Sequence, residues 1–171
     1  SFLAAHFTLE KQIEAAGMSI LFLGKDQLSN QKVVIKICGN EKEKQRFKDE
    51  ISILLSLHHP NIQKIISVGT IGTIPYYVMP FYRNQNLREY LADKTALPEK
   101  TILDLFLQIV DAVAYLHHKK ILHNDLKPQN ILLTPTDHLV LIDFGLASRV
   151  KRRKHLPHNQ KSIWGSPVYL A

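Results

Sequence analysis

Cysteine is almost absent: Cys38 stands alone among 171 residues. No disulfide can form within the chain, which fits a reducing compartment and excludes the disulfide-stapled class of small domain. Long apolar runs are missing too. No stretch approaches the roughly 18 continuous apolar residues that a membrane span needs. The first residues, SFLAAHFTLEK, turn polar too early for a secretory leader. Internal repeats, low-complexity tracts and Gly/Ser linkers are absent, so solenoid and linker-joined architectures drop out. The pairs His58-His59 and His117-His118 have no cysteine or matching ligand set nearby and read as helix-end residues rather than zinc ligands. Acidic residues are outnumbered, 15 against 22 Lys plus Arg, which leaves a formal charge of +7. That sign admits nucleic acid, an anionic membrane or phosphate groups as partners. No nucleic-acid motif accompanies it. What remains is 45% hydrophobic and 22% charged residues, the composition of a globular chain with a core to bury.

The first half reads as strands. Phe7–Ile13, Ile20–Lys25 and Lys32–Cys38 are short, rich in Ile, Leu and Val, and separated by turn-like stretches such as Leu28-Ser29-Asn30. Glu41–His58 reads as a helix, with Phe47, Ile51, Leu54 and Leu55 at helical spacing and Lys42, Lys44, Arg46 and Lys48 on the wet side. Two further strands are expected at Ile65–Thr70 and Ile74–Phe81. After residue 82 the pattern turns helical. Asn86-Leu87-Arg88-Glu89 has the form of a capping box opening a short helix. Pro98 suits the first turn of a longer one, whose apolar stripe is read as Ile102, Phe106, Ile109, Val113 and Leu116. Short apolar runs follow at Asn130–Leu133 and Leu139–Ile142.

The chemistry lies in His123-Asn124-Asp125-Leu126-Lys127-Pro128-Gln129-Asn130, with Asp143-Phe144-Gly145 beginning 18 positions after Asp125. Two carboxylates, an amide and a lysine fall on loops between short strands. Carboxylate and amide oxygens are hard ligands suited to Mg²⁺. A second carboxylate can take a proton from an attacking hydroxyl, and a lysine beside it can offset charge on a transferring phosphoryl group. Each residue alone is bland; the joint pattern is specific.

On these residues the chain resembles the protein kinase family, serine/threonine type, from about Phe7 to Ala171. Val33-Val34-Ile35-Lys36 is similar to the family's third-strand motif and Glu50 to the acid that pairs with its lysine. His59-Pro60-Asn61-Ile62 follows the helix as in many kinases. Tyr77-Val78-Met79-Pro80-Phe81-Tyr82 resembles the fifth strand running into the hinge, and Gly165–Ala171 the end of the activation segment. The resemblance implies an α+β bilobal fold: a five-stranded antiparallel sheet with one main helix over residues 1–82, then a partial helical lobe over 83–171. It implies Asp125 and Lys127 as catalytic residues, and Asn130 and Asp143 as ligands of Mg²⁺. Lys36 and Glu50 would serve the phosphates of ATP, with Leu21, Val34 and Leu132 around the adenine, Met79 as gatekeeper, and the Pro80 carbonyl and Tyr82 N–H as its backbone partners. The family's apolar spine would fall on Ile65, Leu54, Phe144 and His123, which makes His123 a packed residue. Lys127 is the residue that separates the serine/threonine kinases from tyrosine kinases and antibiotic phosphotransferases. The Lys127–Asn130 form and the compact stretch after Cys38 resemble the bacterial members.

The sequence departs from that pattern in three places. At the three positions of the Gly-rich loop stand Glu14, Ala16 and Ser19, with Gly17 at a variable one, so weaker ATP binding is expected. Asn124 replaces the arginine that in many kinases meets an activation-segment phosphate, so dependence on such a phosphate is expected to be weak. The chain also stops short of the Pro-Glu that follows in the family, so it reads as a segment of a longer protein. The densest basic run, Arg149–His155, falls in the presumed activation segment, either as a solvated loop or as a dock for acidic protein or phosphate. The expected function is transfer of the γ-phosphate of Mg·ATP to Ser/Thr hydroxyls of a protein substrate inside the cell, with no nucleic acid and no membrane span in this segment. The alternative is a pseudokinase-like binding or scaffold module.

Overall fold

Alternating Val, Ile and Leu side chains build the first part of the chain into an antiparallel sheet. The structure, a computed structural model, describes residues 2–16, 19–82, 85–92, 97–134 and 136–150. Gly17, the run Lys151–His155 and the segment Gly165–Ala171 lie outside the described residues. The chain divides into two compact units, Ser1–His58 with Gln63–Tyr82, and His59–Ile62 with Arg83–Ala171.

In the first unit a short helix α1 (Phe2–His6), not anticipated from residue spacing, leads directly into β1 (Phe7–Ala16). The strands β2 (Ser19–Asp26), β3 (Lys32–Cys38), β4 (Ser67–Ile71) and β5 (Ile74–Pro80) complete a five-stranded sheet in the order β1-β2-β3-β5-β4. Two register shifts interrupt the β1–β2 pairing, and beyond them Glu14 opposes Leu21 and Ala16 opposes Ser19. Gly24 is required by packing: a Cβ there would lie 2.5 Å from the Thr8 carbonyl oxygen. Because side chains alternate, the two sheet faces carry different work. One face holds Val33, Ile35, Tyr76 and Val78, which bury against Leu3 and Phe7, with Phe22 and Ile37 at the margin. The other carries Leu21, Lys36 and Tyr77 side by side, with Leu23, Val34 and Met79 in the next row.

Helix α2 (Lys44–Leu55) packs on this second face, preceded by a 3-10 turn at Glu41–Glu43 whose N-cap Asn40 accepts from the Glu43 N–H. It is shorter than the expected Glu41–His58. Its buried residues are Phe47, Glu50, Ile53 and Leu54, whereas Leu55 is exposed and Ile51 only half-buried. The inward stripe therefore includes a carboxylate.

In the second unit α3 (Leu87–Ala92) opens with the expected capping box: the Glu89 N–H donates to Asn86 Oδ1 at 2.9 Å and the Asn86 N–H to Glu89 Oε2 at 3.1 Å. Helix α4 (Glu99–His118) has Pro98 at its N-cap, one position before the expected first turn. Its inward stripe is Leu105, Ala112 and Leu116, which faces β6 (Ile121–Leu122) and β8 (Leu139–Leu141). The expected stripe is corrected there: Ile102 and Phe106 are exposed, together with Leu103, Leu107 and Val110. This helix is apolar on two sides, so spacing alone admits either stripe. Strand β7 (Ile131–Leu133) pairs with β8, and β9 (Ser148–Arg149) with β6. Isolated bridges add Ile62 to the β8 side and Asn86 to the β7 side. Among the described residues no helix is long and apolar enough to cross a membrane.

Candidate functional site

Two constellations carry the polar chemistry, one in each unit. In the first, strand register sets Lys36 beside Tyr77, and α2 brings Glu50 over both. Lys36 Nζ donates to Glu50 Oε1 at 2.7 Å, with side chains only 10% and 4% exposed. The Tyr77 hydroxyl donates to the same oxygen at 2.8 Å. A buried ion pair of this kind is held by the hydrogen bonds that surround it; removing one partner strands the other charge. Leu21, Val34 and Met79 share the face of Lys36 by register. Pro80 pairs with Val33 at the end of β5, and the Phe81 N–H donates to the Lys32 carbonyl at 3.2 Å. Burial raises the Tyr82 hydroxyl above its ordinary pKa, opposed by the backbone of Lys64.

In the second unit the β7–β8 hairpin does the positioning. Ile131 opposes Leu141, so Asn130, just before β7, and Asp143, just after β8, emerge at the same end. The Ile142 N–H donates to the Asn130 carbonyl at 2.9 Å. The Asn130 amide donates to the Asp125 backbone oxygen at 2.8 Å and to Asp125 Oδ2 at 2.9 Å. Lys127 Nζ lies 2.8 Å from the same Oδ2. The Asp125 carboxylate is thus flanked by two donors, and the Asn130 amide keeps its oxygen as the atom able to ligate a cation. Asp143 takes a left-handed φ of 62°, which reorients the chain straight after the strand. Leu132 sits half-buried in β7, opposite Val140.

His123 supports this loop from beneath. Its Nδ1 accepts the Asp125 N–H at 3.3 Å, so Nε2 carries the proton that bonds the Ile142 carbonyl at 3.1 Å. Its ring meets Phe144 edge-on at 4.7 Å. Burial holds its pKa below the usual histidine value, against the pull of the Ile142 carbonyl and the Asp143 and Asp125 charges. Asn124, at φ 63°, donates from its amide to the Leu146 carbonyl and to Ser148 Oγ, both at 2.9 Å. Ser148 belongs to β9, so the residue before Asp125 ties the loop to the segment after Asp143-Phe144-Gly145.

The model of the protein kinase domain matches residues 7–171. The chain belongs to the protein kinase family. It is 32% identical to the serine/threonine-protein kinase PrkC of Bacillus subtilis over 99% of this chain and 26% of that protein. It is 35% identical to the putative serine/threonine-protein kinase R436 of Acanthamoeba polyphaga mimivirus, over 98% of this chain and 62% of that protein. With the probable serine/threonine-protein kinase YbdM of Bacillus subtilis it shares 34% identity over 84% of this chain and 58% of that protein. The chain spans between about a quarter and just under two thirds of the length of these relatives.

The α+β kinase fold, its five-stranded sheet and the start of the helical lobe agree with the sequence reading. Lys36 and Glu50 are brought together, as are Asp125, Lys127 and Asn130. The roles of Tyr77, Gln63 and Asn61 escaped sequence reasoning. Tyr77 and Gln63 join the Lys36–Glu50 pair; two-residue alternation from Met79 would have set Tyr77 on the face of Lys36. Asn61 donates to the Leu139 carbonyl and to Gln108 Oε1, which ties the His59–Ile62 segment to α4 and β8. His59 meets Asp111 at 3.2 Å, so its ring serves as an anchor on α4; no group of three or more His, Cys, Asp and Glu that could hold a metal occurs among the described residues.

Proposed function

We propose that the parent protein is a serine/threonine protein kinase that transfers the γ-phosphate of Mg·ATP to a protein hydroxyl inside the cell. The observation that carries this reading is the Asp125 carboxylate flanked by Lys127 and Asn130. Asp125 orients the substrate hydroxyl and takes its proton as the oxygen bonds to the γ-phosphorus and the bond to the β–γ bridging oxygen breaks, releasing ADP. Lys127 offsets the charge on the transferring group. Lys36, fixed by Glu50, binds the α- and β-phosphates. Leu21, Val34 and Leu132 line the adenine, Met79 is the gatekeeper, and the Pro80 carbonyl and Tyr82 N–H bond its edge; proline lacks only the donor. The donor chemistry of Asn130 and Asp143, an amide oxygen and a carboxylate at one end of the hairpin, fits Mg²⁺. When bound, the ion neutralises phosphate charge. The domain division follows the nucleotide chemistry, with residues 1–82 as the N-lobe and 83–171 as part of the C-lobe.

Asn124 supports a kinase that works without an activation-segment phosphate, because a neutral amide already ties the loop to Leu146 and Ser148. The second reading, a nucleotide-binding scaffold with impaired turnover, is favoured by Glu14, Ala16 and Ser19 at the glycine positions. Thermal denaturation of the full-length protein with Mg·ATP, beside a phosphate-transfer assay, separates the two. At one hundred times Kd the ligand adds about 2.7 kcal/mol. Stabilisation with turnover is the expected result; stabilisation without turnover favours the scaffold, and neither effect removes both readings.

A further inference from the structure

Glu50 Oε1 receives two donors, and only one of them is the lysine. The Tyr77 hydroxyl reaches it at 2.8 Å, against 2.7 Å for Lys36 Nζ. Gln63 Nε2 lies 3.4 Å from the Tyr77 hydroxyl oxygen, which continues the line of donors, and Gln63 is itself 2% exposed. Tyr77 is fully buried, its ring packed against Phe47 of α2 at 5.6 Å and beneath Lys36 Nζ at 5.8 Å. One side chain of the sheet therefore touches the lysine with its face and the carboxylate with its hydroxyl, and packs on the helix that carries the carboxylate. A hydroxyl so deeply buried is costly unless it is bonded, and it stays protonated, since burial pushes it well above the ordinary tyrosine range.

We infer that Tyr77 is a positioning residue for Lys36: its hydroxyl holds the Glu50 carboxylate, and through it α2, where the lysine is aimed to receive phosphates. This rests on the nucleotide-binding reading of Lys36. With Glu14, Ala16 and Ser19 at the glycine positions, side chains hinder the close approach of backbone N–H groups to the phosphates, so the fixed aim of Lys36 carries more of their binding.

Tyr77→Phe deletes the hydroxyl and keeps the ring. In full-length protein it is expected to raise KM for ATP about fivefold while kcat stays within twofold. It is also expected to raise the rate at which acetic anhydride labels Lys36, read by peptide mass against exposed Lys48, at least threefold. In a Glu50→Ala background, which removes the acceptor, the same substitution should add nothing to KM. Gln63→Leu, one bond further out, is expected to change KM and labelling about twofold in the same direction, and stands in should Tyr77→Phe fail to fold. A lower urea midpoint with unchanged KM and unchanged Lys36 labelling would make Tyr77 a packing residue only and overturn the inference. So would independent, multiplicative effects with Glu50→Ala. Lys36 labelling needs no nucleotide, so a wild-type protein that ignores Mg·ATP sinks the kinase reading while the labelling still decides whether Tyr77 holds the pair.

Discussion

The two polar constellations are built by opposite means. Lys36, Glu50 and Tyr77 sit on regular structure, two adjacent strands and a helix, and their meeting follows from register and helical spacing. Asp125 and Lys127 sit on irregular backbone and Asn130 ends a single 3-10 turn, all held by side-chain bonds to main-chain groups and by left-handed residues at Asn124 and Asp143. The first is rigid because its neighbours are packed. The second is held by the bonds that His123, Asn124 and Asn130 make to the main chain. The first should therefore fail as a buried charge fails, by a large loss of stability. The second should fail piecemeal, one bond at a time.

The largest expected effect breaks the first constellation. Lys36→Met leaves the Glu50 carboxylate buried without its cation and is expected to cost about 3–5 kcal/mol, read from urea denaturation. A cost below about 1 kcal/mol would mean that the pair is not buried in solution. A middle-sized effect dissects the second. Asn124→Gly keeps the left-handed backbone accessible and loses both amide bonds, at about 1–3 kcal/mol. Asn124→Ala adds the steric cost of a Cβ at positive φ, about 1 kcal/mol more. Equal costs for the two would show that φ plays no part. The smallest effect concerns His123. Burial lowers its folded pKa, so at mildly acidic pH the unfolded chain binds the extra proton. Its contribution is complete above about pH 6.5 and is lost as the pH falls from there toward the folded value. Stability measured at pH 7.5 and pH 5 should fall less in His123→Leu than in the wild type.

The same contrast explains what could be read from the sequence. Strand and helix identities follow from periodicity, and the short spacing around Asp125 anticipates that Asp125, Lys127 and Asn130 meet. The capping box at Asn86 and Glu89 is a local rule and folds as one. Helix α4 misled because a helix apolar on two sides has no single inward stripe, and which side packs depends on β6 and β8, far away in sequence. Leu55 misled for a similar reason: α2 turns the carboxylate of Glu50 inward, and hydrophobicity alone does not register a buried charge. Alternation gives the face of Tyr77, but its partner Glu50, like the Leu139 N–H that Gln108 accepts, lies far away in sequence.

The central claim is that Asp125 handles the proton of the attacking hydroxyl. Full-length wild-type protein and Asp125→Asn should be compared for transfer of the γ-phosphate of radiolabelled Mg·ATP to a serine-containing protein substrate. The account predicts a loss of roughly 10²–10⁴-fold in kcat with nucleotide affinity retained. Equal transfer by the two proteins would contradict it.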